Sequence, residues 1–272
     1  MEQIETLHAG NFRIIQDTET FRFGIDAVLL ADFASAKLSP KTSHIVDLCT
    51  GNGIVPLLLA AKMLERREPA STPERHEPCA LGENPARNTP ENTAQTVRIT
   101  GVEIQHQAAD MARRSVALNN LENLIEIIEC DVKNIFSALP KNCADVVTAN
   151  PPYMPFAHGK KCPSEALSVA RHEVLCCLED VVRAAAGLLN SNGLFYMIHR
   201  PERLAEIMES LVRNELEPKR LRLIHAYADT PPTMVLIEAK KCAAHGLVVE
   251  KPFIVYSGKK VYSPEMQLIY GK

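Results

Sequence analysis

The chain lacks any uninterrupted run of 18 or more apolar residues, the length a membrane-crossing helix needs. Its opening MEQIETLHAGNFRI has neither the basic region nor the apolar core of a secretory leader. The eight cysteines, at 49, 79, 130, 143, 162, 176, 177 and 242, form no C-x-x-C pair, and the nine histidines show no metal-ligand spacing. These absences predict a cytoplasmic protein with reduced thiols, no membrane partner and no metal centre. A large charge of one sign is also missing: 30 Lys and Arg face 33 Asp and Glu, net −3, which argues against nonspecific nucleic-acid binding. The balance is uneven, with 14 basic against 20 acidic residues over 1–158 and 16 against 13 over 159–272, so a local basic face is open. With 46% hydrophobic residues in 272, disorder throughout is excluded.

One stretch stands apart. Residues 68–96 hold five prolines, no aromatic and almost no aliphatic side chain, too little apolar surface to offset chain entropy. They read as a disordered surface insert, or as a regulatory loop. Around them, β-branched runs at 44–49, 97–104, 125–131 and 144–150 read as strands buried on both faces. Helical patterns fit at 54–66, 106–119, 173–190 and 201–214, and further strands at 194–199, 221–227 and 233–240. This alternation predicts an α/β fold with a doubly wound, mostly parallel, Rossmann-like sheet in a single domain, 1–272.

In such sheets ligands sit at the carboxyl ends of the strands. The first strand runs into Asp47-Leu48-Cys49-Thr50-Gly51-Asn52-Gly53 and a helix. Glycines let that backbone turn and approach a ligand, and the helix start favours an anionic group. A tight turn without a ligand would look the same. The second strand ends in Glu103, a position from which a carboxylate can accept both hydroxyls of a ribose, normally about 20 residues past the loop. Glu103 stands 50 residues past Gly53, and leaving out the 29 residues of the insert makes that 21. A dinucleotide loop wants a third glycine or alanine where this chain has Pro56, which instead suits a first helical turn.

The fourth strand ends in Asn150-Pro151-Pro152-Tyr153. An exocyclic amino group or a glutamine amide is a poor nucleophile because its lone pair is delocalised. The Asn150 side-chain oxygen and the Pro151 carbonyl can accept its two hydrogens and direct the lone pair toward a methyl donor. Pro151 and Pro152 fix the backbone, and Tyr153 offers a face for a planar base. A rigid proline turn is the plain alternative; the other two motifs favour an amino methyltransferase.

Asp47, four residues before Gly51, resembles the cofactor motif of class I S-adenosylmethionine-dependent methyltransferases. That resemblance implies that Asp47, Cys49, Gly51 and Gly53 hold the methionine part of S-adenosyl-L-methionine, Glu103 the ribose, and Asp131 with Val132 the adenine. Cys49 stands where that family usually has glycine. Segments 21–30, 170–173, 199–204 and 218–220, with Tyr256 and Tyr262, resemble the bacterial valine-tRNA (adenine-N6)-methyltransferase family over nearly the whole chain except the insert. This implies methylation of N6 of the adenine 3′ of the anticodon in a tRNA stem-loop, which is single-stranded and stackable. It also implies that residues 1–40 cap the cofactor site, with Phe21 to Asp26, among them Phe23, Gly24 and Asp26, closing the pocket, while Val28 and Leu29 read as core. Substrate contacts are expected from Asn150, Pro152 and Tyr153. A phosphate-contacting face is expected from Arg200, Arg203, Lys219 and Arg220, with Arg213 and Arg222; a solvated charged surface is the equal alternative. His172 and Glu173 read as structural, since methyl transfer to an amine needs no prior general base. A monomer is expected. The rivals are glutamine-N5 methylation of a translation factor, disfavoured by the roughly 40 residues ahead of the first strand, and a catalytically silent RNA-binding protein of the same fold.

Overall fold

In the computed structural model, residues 1–7, 9–17, 22–66, 97–153 and 176–270 are described. The insert at 68–96, Phe21, His172 and Glu173 lie outside these residues. In chain order the strands are β1 Glu2–Thr6, β2 Arg13–Asp17, β3 His44–Leu48, β4 Arg98–Glu103, β5 Ile125–Glu129, β6 Ala144–Ala149, β7 Leu189–His199, β8 Leu216–His225, β9 Pro232–Lys241, β10 Val248–Val249, β11 Phe253–Ile254, β12 Tyr256–Gly258 and β13 Val261–Tyr262. The α-helices are α1 Ile25–Ser35, α2 Ile54–Glu65, α3 His106–Leu118, α4 Leu178–Leu188, α5 Leu204–Arg213 and α6 Pro264–Ile269.

The central sheet runs β10-β8-β9-β7-β6-β3-β4-β5, with β11 also on β8. From β7 to β5 every pairing is parallel. All five side chains of β3 are buried, as a strand covered by helices on both faces requires. Two hydrophobic clusters fill the two faces, one built on α1, α2 and α3, the other on α4 and α5. The far end departs from simple alternation: β9 lies antiparallel between β7 and β8. Because both neighbours oppose β9, β8 points the same way as β7, β6 and β3. Leu48, Ala149, Met197, Ile237 and Leu221 are therefore level across the sheet. β3 and β6 end at this level, at Leu48 and Ala149, while β7 continues two residues to His199 and β8 four residues to His225 toward the same carboxyl side of the sheet.

Several boundaries differ from the sequence expectation for identifiable reasons. α4 starts at Leu178, where the backbone N–H of Cys177 donates to the Asp180 carboxylate in a capping box. β8 begins five residues earlier than expected because Pro218 is accommodated at a register shift between Pro218 and Arg220. β7 likewise begins at Leu189, with Asn192 at φ 66 and a register shift opposite Ala144 to Val146. At the other end the β1–β2 hairpin is tied to α3, the Ile15 N–H donating to the buried Ser115 hydroxyl at 2.9 Å. Among the described residues no helix is long and apolar enough to cross a membrane.

Candidate active site

The loop after β3 holds two residues that demand a left-handed backbone before α2 can begin: Gly51 at φ 56 and Gly53 at φ 85. A Cβ on Gly51 would meet nothing within 4 Å, so the loop opens onto a cradle. A Cβ on Gly53 would lie 3.1 Å from Ala112 of α3, so that position also sets how closely α2 and α3 approach. Cys49 is left-handed as well, at φ 59. This gives the physical reason for glycine at the corresponding place in the resembled family: the position asks for positive φ, and here a cysteine tolerates it. A hydrogen bond with its neighbour Cys176, then burial, push the Cys49 thiol well above its ordinary range, so it is a neutral group.

Asp47 is 1% exposed at the floor of the loop. Its Oδ1 accepts from the Thr148 hydroxyl at 2.5 Å, while Oδ2 is buried without a hydrogen-bond partner. Burial raises its carboxyl to about 7, the Thr148 bond opposing and the nearby Glu103 charge adding to the rise. Glu103, buried at the end of β4, accepts from the Gly51 N–H through Oε2 and from the Gln105 N–H through Oε1, each at 2.9 Å. Two oxygens offer about four acceptor positions, so this carboxylate braces the loop and still has capacity for two hydroxyls. Asp131 is half-buried, its Oδ1 accepting from the Lys133 N–H at 2.9 Å; Val132 beside it is buried. An open glycine cradle, an unpartnered buried carboxylate oxygen and a second carboxylate with spare acceptor sites fit a cofactor bearing an amino group, a carboxylate and a ribose.

Across the carboxyl side of the sheet, Asn150 and Tyr153 meet Asp26 at the start of α1. Asp26 Oδ2 accepts from the Tyr153 hydroxyl at 2.7 Å and from Asn150 Nδ2 at 3.3 Å. The Tyr153 hydroxyl also lies in a short contact with Asn150 Oδ1. Burial, then the Asp26 charge, raise the Tyr153 phenol, so it stays protonated. Gly24, which precedes this helix start, leaves room for that carboxylate: a Cβ there would sit 2.5 Å from Asp26 Oδ1. Phe23 is half-buried, its N–H donating to the Gln16 side chain at 3.0 Å. Pro151 is buried, and Pro152 is half-buried beside it.

The structure brings in a residue to which the sequence reading gave no site role. His199, at the end of β7, is fully buried, and its ring lies edge-to-face with Tyr153 at 5.3 Å. Its Nδ1 accepts from the Arg200 N–H at 2.8 Å, which leaves the proton on Nε2, where no partner is found. Burial, with the Arg203 charge, lowers it to about 4, so it is neutral. The signals in the sequence were its place at a strand end and in the segment 199–204 that carries the family resemblance, neither of which gave it a role at the site. Arg200 itself is exposed over the Tyr153 ring, 5.3 Å from its centroid, and donates to the Thr233 carbonyl.

The remaining basic residues are not gathered with it. Arg220 requires a correction: it is 8% exposed, ion-paired with Glu238 at 2.8 Å and Glu250 at 3.1 Å, and stacked on Phe33 at 3.8 Å. Such a guanidinium has no face to offer a phosphate. Arg203 pairs with Glu206 at 2.5 Å, Arg213 pairs with Glu209, and Arg222 pairs with Glu265 at 2.8 Å. Lys219 donates to the Ala244 carbonyl at 3.0 Å. Among the described residues no group of three or more His, Cys, Asp or Glu could hold a metal ion.

No family model matches the chain. Among curated proteins, the tRNA1(Val) (adenine(37)-N6)-methyltransferase of Phocaeicola vulgatus is 26% identical over 253 residues, 90% of each chain. That of Porphyromonas gingivalis is 24% identical over 261 residues, 93% of this chain and 89% of the relative. That of Histophilus somni is 25% identical over 261 residues, covering 95% and 92%. Of solved structures, a predicted O-methyltransferase from Agrobacterium tumefaciens superposes with a TM-score of 0.63 at 22% identity, over 90% of this chain and 95% of that one. A T. thermophilus 16S rRNA N2 methyltransferase in complex with AdoMet and guanosine gives 0.54 at 13% identity, over 89% and 50%. The chain thus has the class I S-adenosylmethionine-dependent methyltransferase fold and is similar, over about nine-tenths of its length, to curated tRNA1(Val) (adenine(37)-N6)-methyltransferases.

Proposed function

We infer that the protein transfers a methyl group from S-adenosylmethionine to N6 of an adenine in tRNA, and we propose the adenine 3′ of the anticodon of a valine tRNA as its target. One observation carries this reading: Asn150 and Tyr153 meet, with Pro151 between them in sequence, at the carboxyl side of the sheet where the Gly51–Gly53 cradle opens, in a chain similar over about nine-tenths of its length to enzymes named for that reaction. S-adenosylmethionine supplies an electrophilic methyl group on a positively charged sulfur. Asn150 Oδ1 and the Pro151 carbonyl accept the two hydrogens of the amine, so that its lone pair points away from both. In the structure the Tyr153 hydroxyl occupies Asn150 Oδ1. An entering base therefore displaces it, and Asp26 Oδ2 is the acceptor already in place to keep that hydroxyl. Neutral His199 backs the Tyr153 ring without adding charge to a site that receives a cationic cofactor. Gly51, Gly53, Glu103, Asp131 and Val132 form the cofactor side, and residues 1–40 its cover, in a single domain with residues 68–96 as an insert.

The assigned role of Asn150 predicts a separation of effects. Asn150→Ala abolishes methyl transfer while the dissociation constant for S-adenosylmethionine, measured calorimetrically, stays within a few-fold of the parent. An equal loss of cofactor binding contradicts the role.

A further inference from the structure

Four of the six tyrosines form one column of rings. Tyr227 lies 5.5 Å from Tyr256 at a tilt of 34°, Tyr256 stacks on Tyr262 at 5.4 Å and 11°, and Tyr262 on Tyr270 at 5.3 Å and 19°. All four are half-buried, so each ring keeps some contact with solvent. Its position follows from the sheet. Tyr227 comes two residues past the end of β8, and the Tyr256 N–H donates to the Ala226 carbonyl, so the column rises from the same carboxyl side as Asn150. Between β6 and β8 lie β7 and β9, three strand spacings or about 14 Å across the sheet, and β8 runs four residues or about 13 Å further than β6, so the column stands a few nucleotide lengths from Asn150.

The charges point the same way. The β12–β13 hairpin that carries Tyr256 and Tyr262 closes through Lys259 and Lys260, both exposed and, among the described residues, in no ion pair. Of the basic residues expected from sequence to meet phosphates, Arg220 is buried and Arg203, Arg213 and Arg222 are paired, while Arg200 lies exposed over Tyr153 and Lys219 donates to the Ala244 carbonyl. Exposed Asp229 disfavours a phosphate on the Tyr227 turn, whereas the tip of the hairpin that carries Tyr256 and Tyr262 bears two exposed cations.

We propose that the column, ending in Tyr227, together with Lys259 and Lys260, receives single-stranded RNA next to the target base: a nucleobase extends the stack on Tyr227, and the lysines take the phosphates. This rests on the RNA-methyltransferase reading and names the surface that reading lacks. Aromatic stacking tolerates any base, and lysine contacts to phosphate carry no sequence information, so the surface supplies affinity and leaves base choice to the catalytic pocket.

The chain has no tryptophan, so its intrinsic fluorescence is tyrosine fluorescence, with most of the emitters in the column. An unmodified 17-nucleotide anticodon stem-loop is titrated into the protein, following both this emission and the anisotropy of a labelled copy. Quenching and binding are expected for the parent. Tyr227→Ala is expected to raise the RNA dissociation constant and the KM for RNA about tenfold, with kcat and S-adenosylmethionine affinity unchanged, and Tyr227→Trp to restore both. Lys259→Ala with Lys260→Ala, on an exposed hairpin tip that can fold without them, is expected to lower the salt slope of RNA binding by about 1.4. Unchanged RNA binding in both variants overturns the proposal while leaving the methyltransferase reading intact. No RNA binding by the parent overturns both. If Tyr227→Ala melts early, the lysine pair alone decides.

Discussion

Cys49 stands at the strand-to-loop junction in a left-handed backbone conformation at φ 59, a conformation that costs a side-chain-bearing residue roughly 1–2 kcal/mol. Relief of that cost is partly cancelled by the greater freedom of glycine in the unfolded chain. Cys49→Gly is therefore expected to leave cofactor affinity intact and shift unfolding free energy by no more than about 1 kcal/mol. Cys49→Val, whose branched Cβ resists positive φ, is expected to weaken both; denaturant titrations with and without S-adenosylmethionine check the pair. Glu103 is tested by substitution too. Removing a carboxylate that both braces Gly51 and offers acceptors to a ribose is expected to cost on the order of 10–100-fold in cofactor affinity in Glu103→Ala. His199 predicts a pH effect of definite sign. Its folded value, about 4, lies below its ordinary 6.5, so the unfolded chain takes up the proton first as pH falls. The stability it contributes is complete above pH 6.5 and is lost as pH drops toward 4. His199→Asn is expected to flatten that part of the curve in urea titrations between pH 7.5 and 4.5.

At the scale of elements, the parallel half of the sheet was legible because β3, β4 and β6 are short β-branched runs buried almost throughout, with the amphipathic α3 following β4; β5, expected to be buried on both faces, is instead an edge strand with Glu126 and Glu129 exposed. The loop and the Asn150 motif were legible for the same reason, since strand ends locate sites in this architecture. The antiparallel end was not. A proline inside β8 hid its first half, and nothing local in the residues of β9 says which neighbour it opposes. Arg220 shows a further limit. In the sequence it is one of several basic residues, and only the fold reveals Glu238 from the adjacent strand and Phe33 from α1 closing around it. Arg220→Ala leaves Glu238, 4% exposed, as an uncompensated buried charge, so it is expected to lower stability by about 3–5 kcal/mol in denaturant titrations. RNA affinity of the folded fraction is expected to stay as it was.

At the scale of the whole molecule, strands that point the same way put the candidate site's parts along one side of the sheet. The glycine cradle and Glu103, proposed for the cofactor, lie at the ends of β3 and β4, Asn150 and Tyr153, proposed for the amine, follow β6, and His199 with Arg200 stand at the end of β7. The β9–β8 extension then carries that side outward to the tyrosine column, which gives an RNA substrate an approach along a single line. The mildly acidic average of the chain conceals this arrangement, because most arginines near the sheet serve the protein's own carboxylates. The most direct test of the account is the chemical identity of the product. The purified protein is incubated with isotopically labelled S-adenosylmethionine and unmodified total tRNA, the RNA is digested to nucleosides, and the labelled species is identified by mass spectrometry. The account predicts N6-methyladenosine, absent with Asn150→Ala. Label in another nucleoside, in added protein only, or in nothing contradicts it.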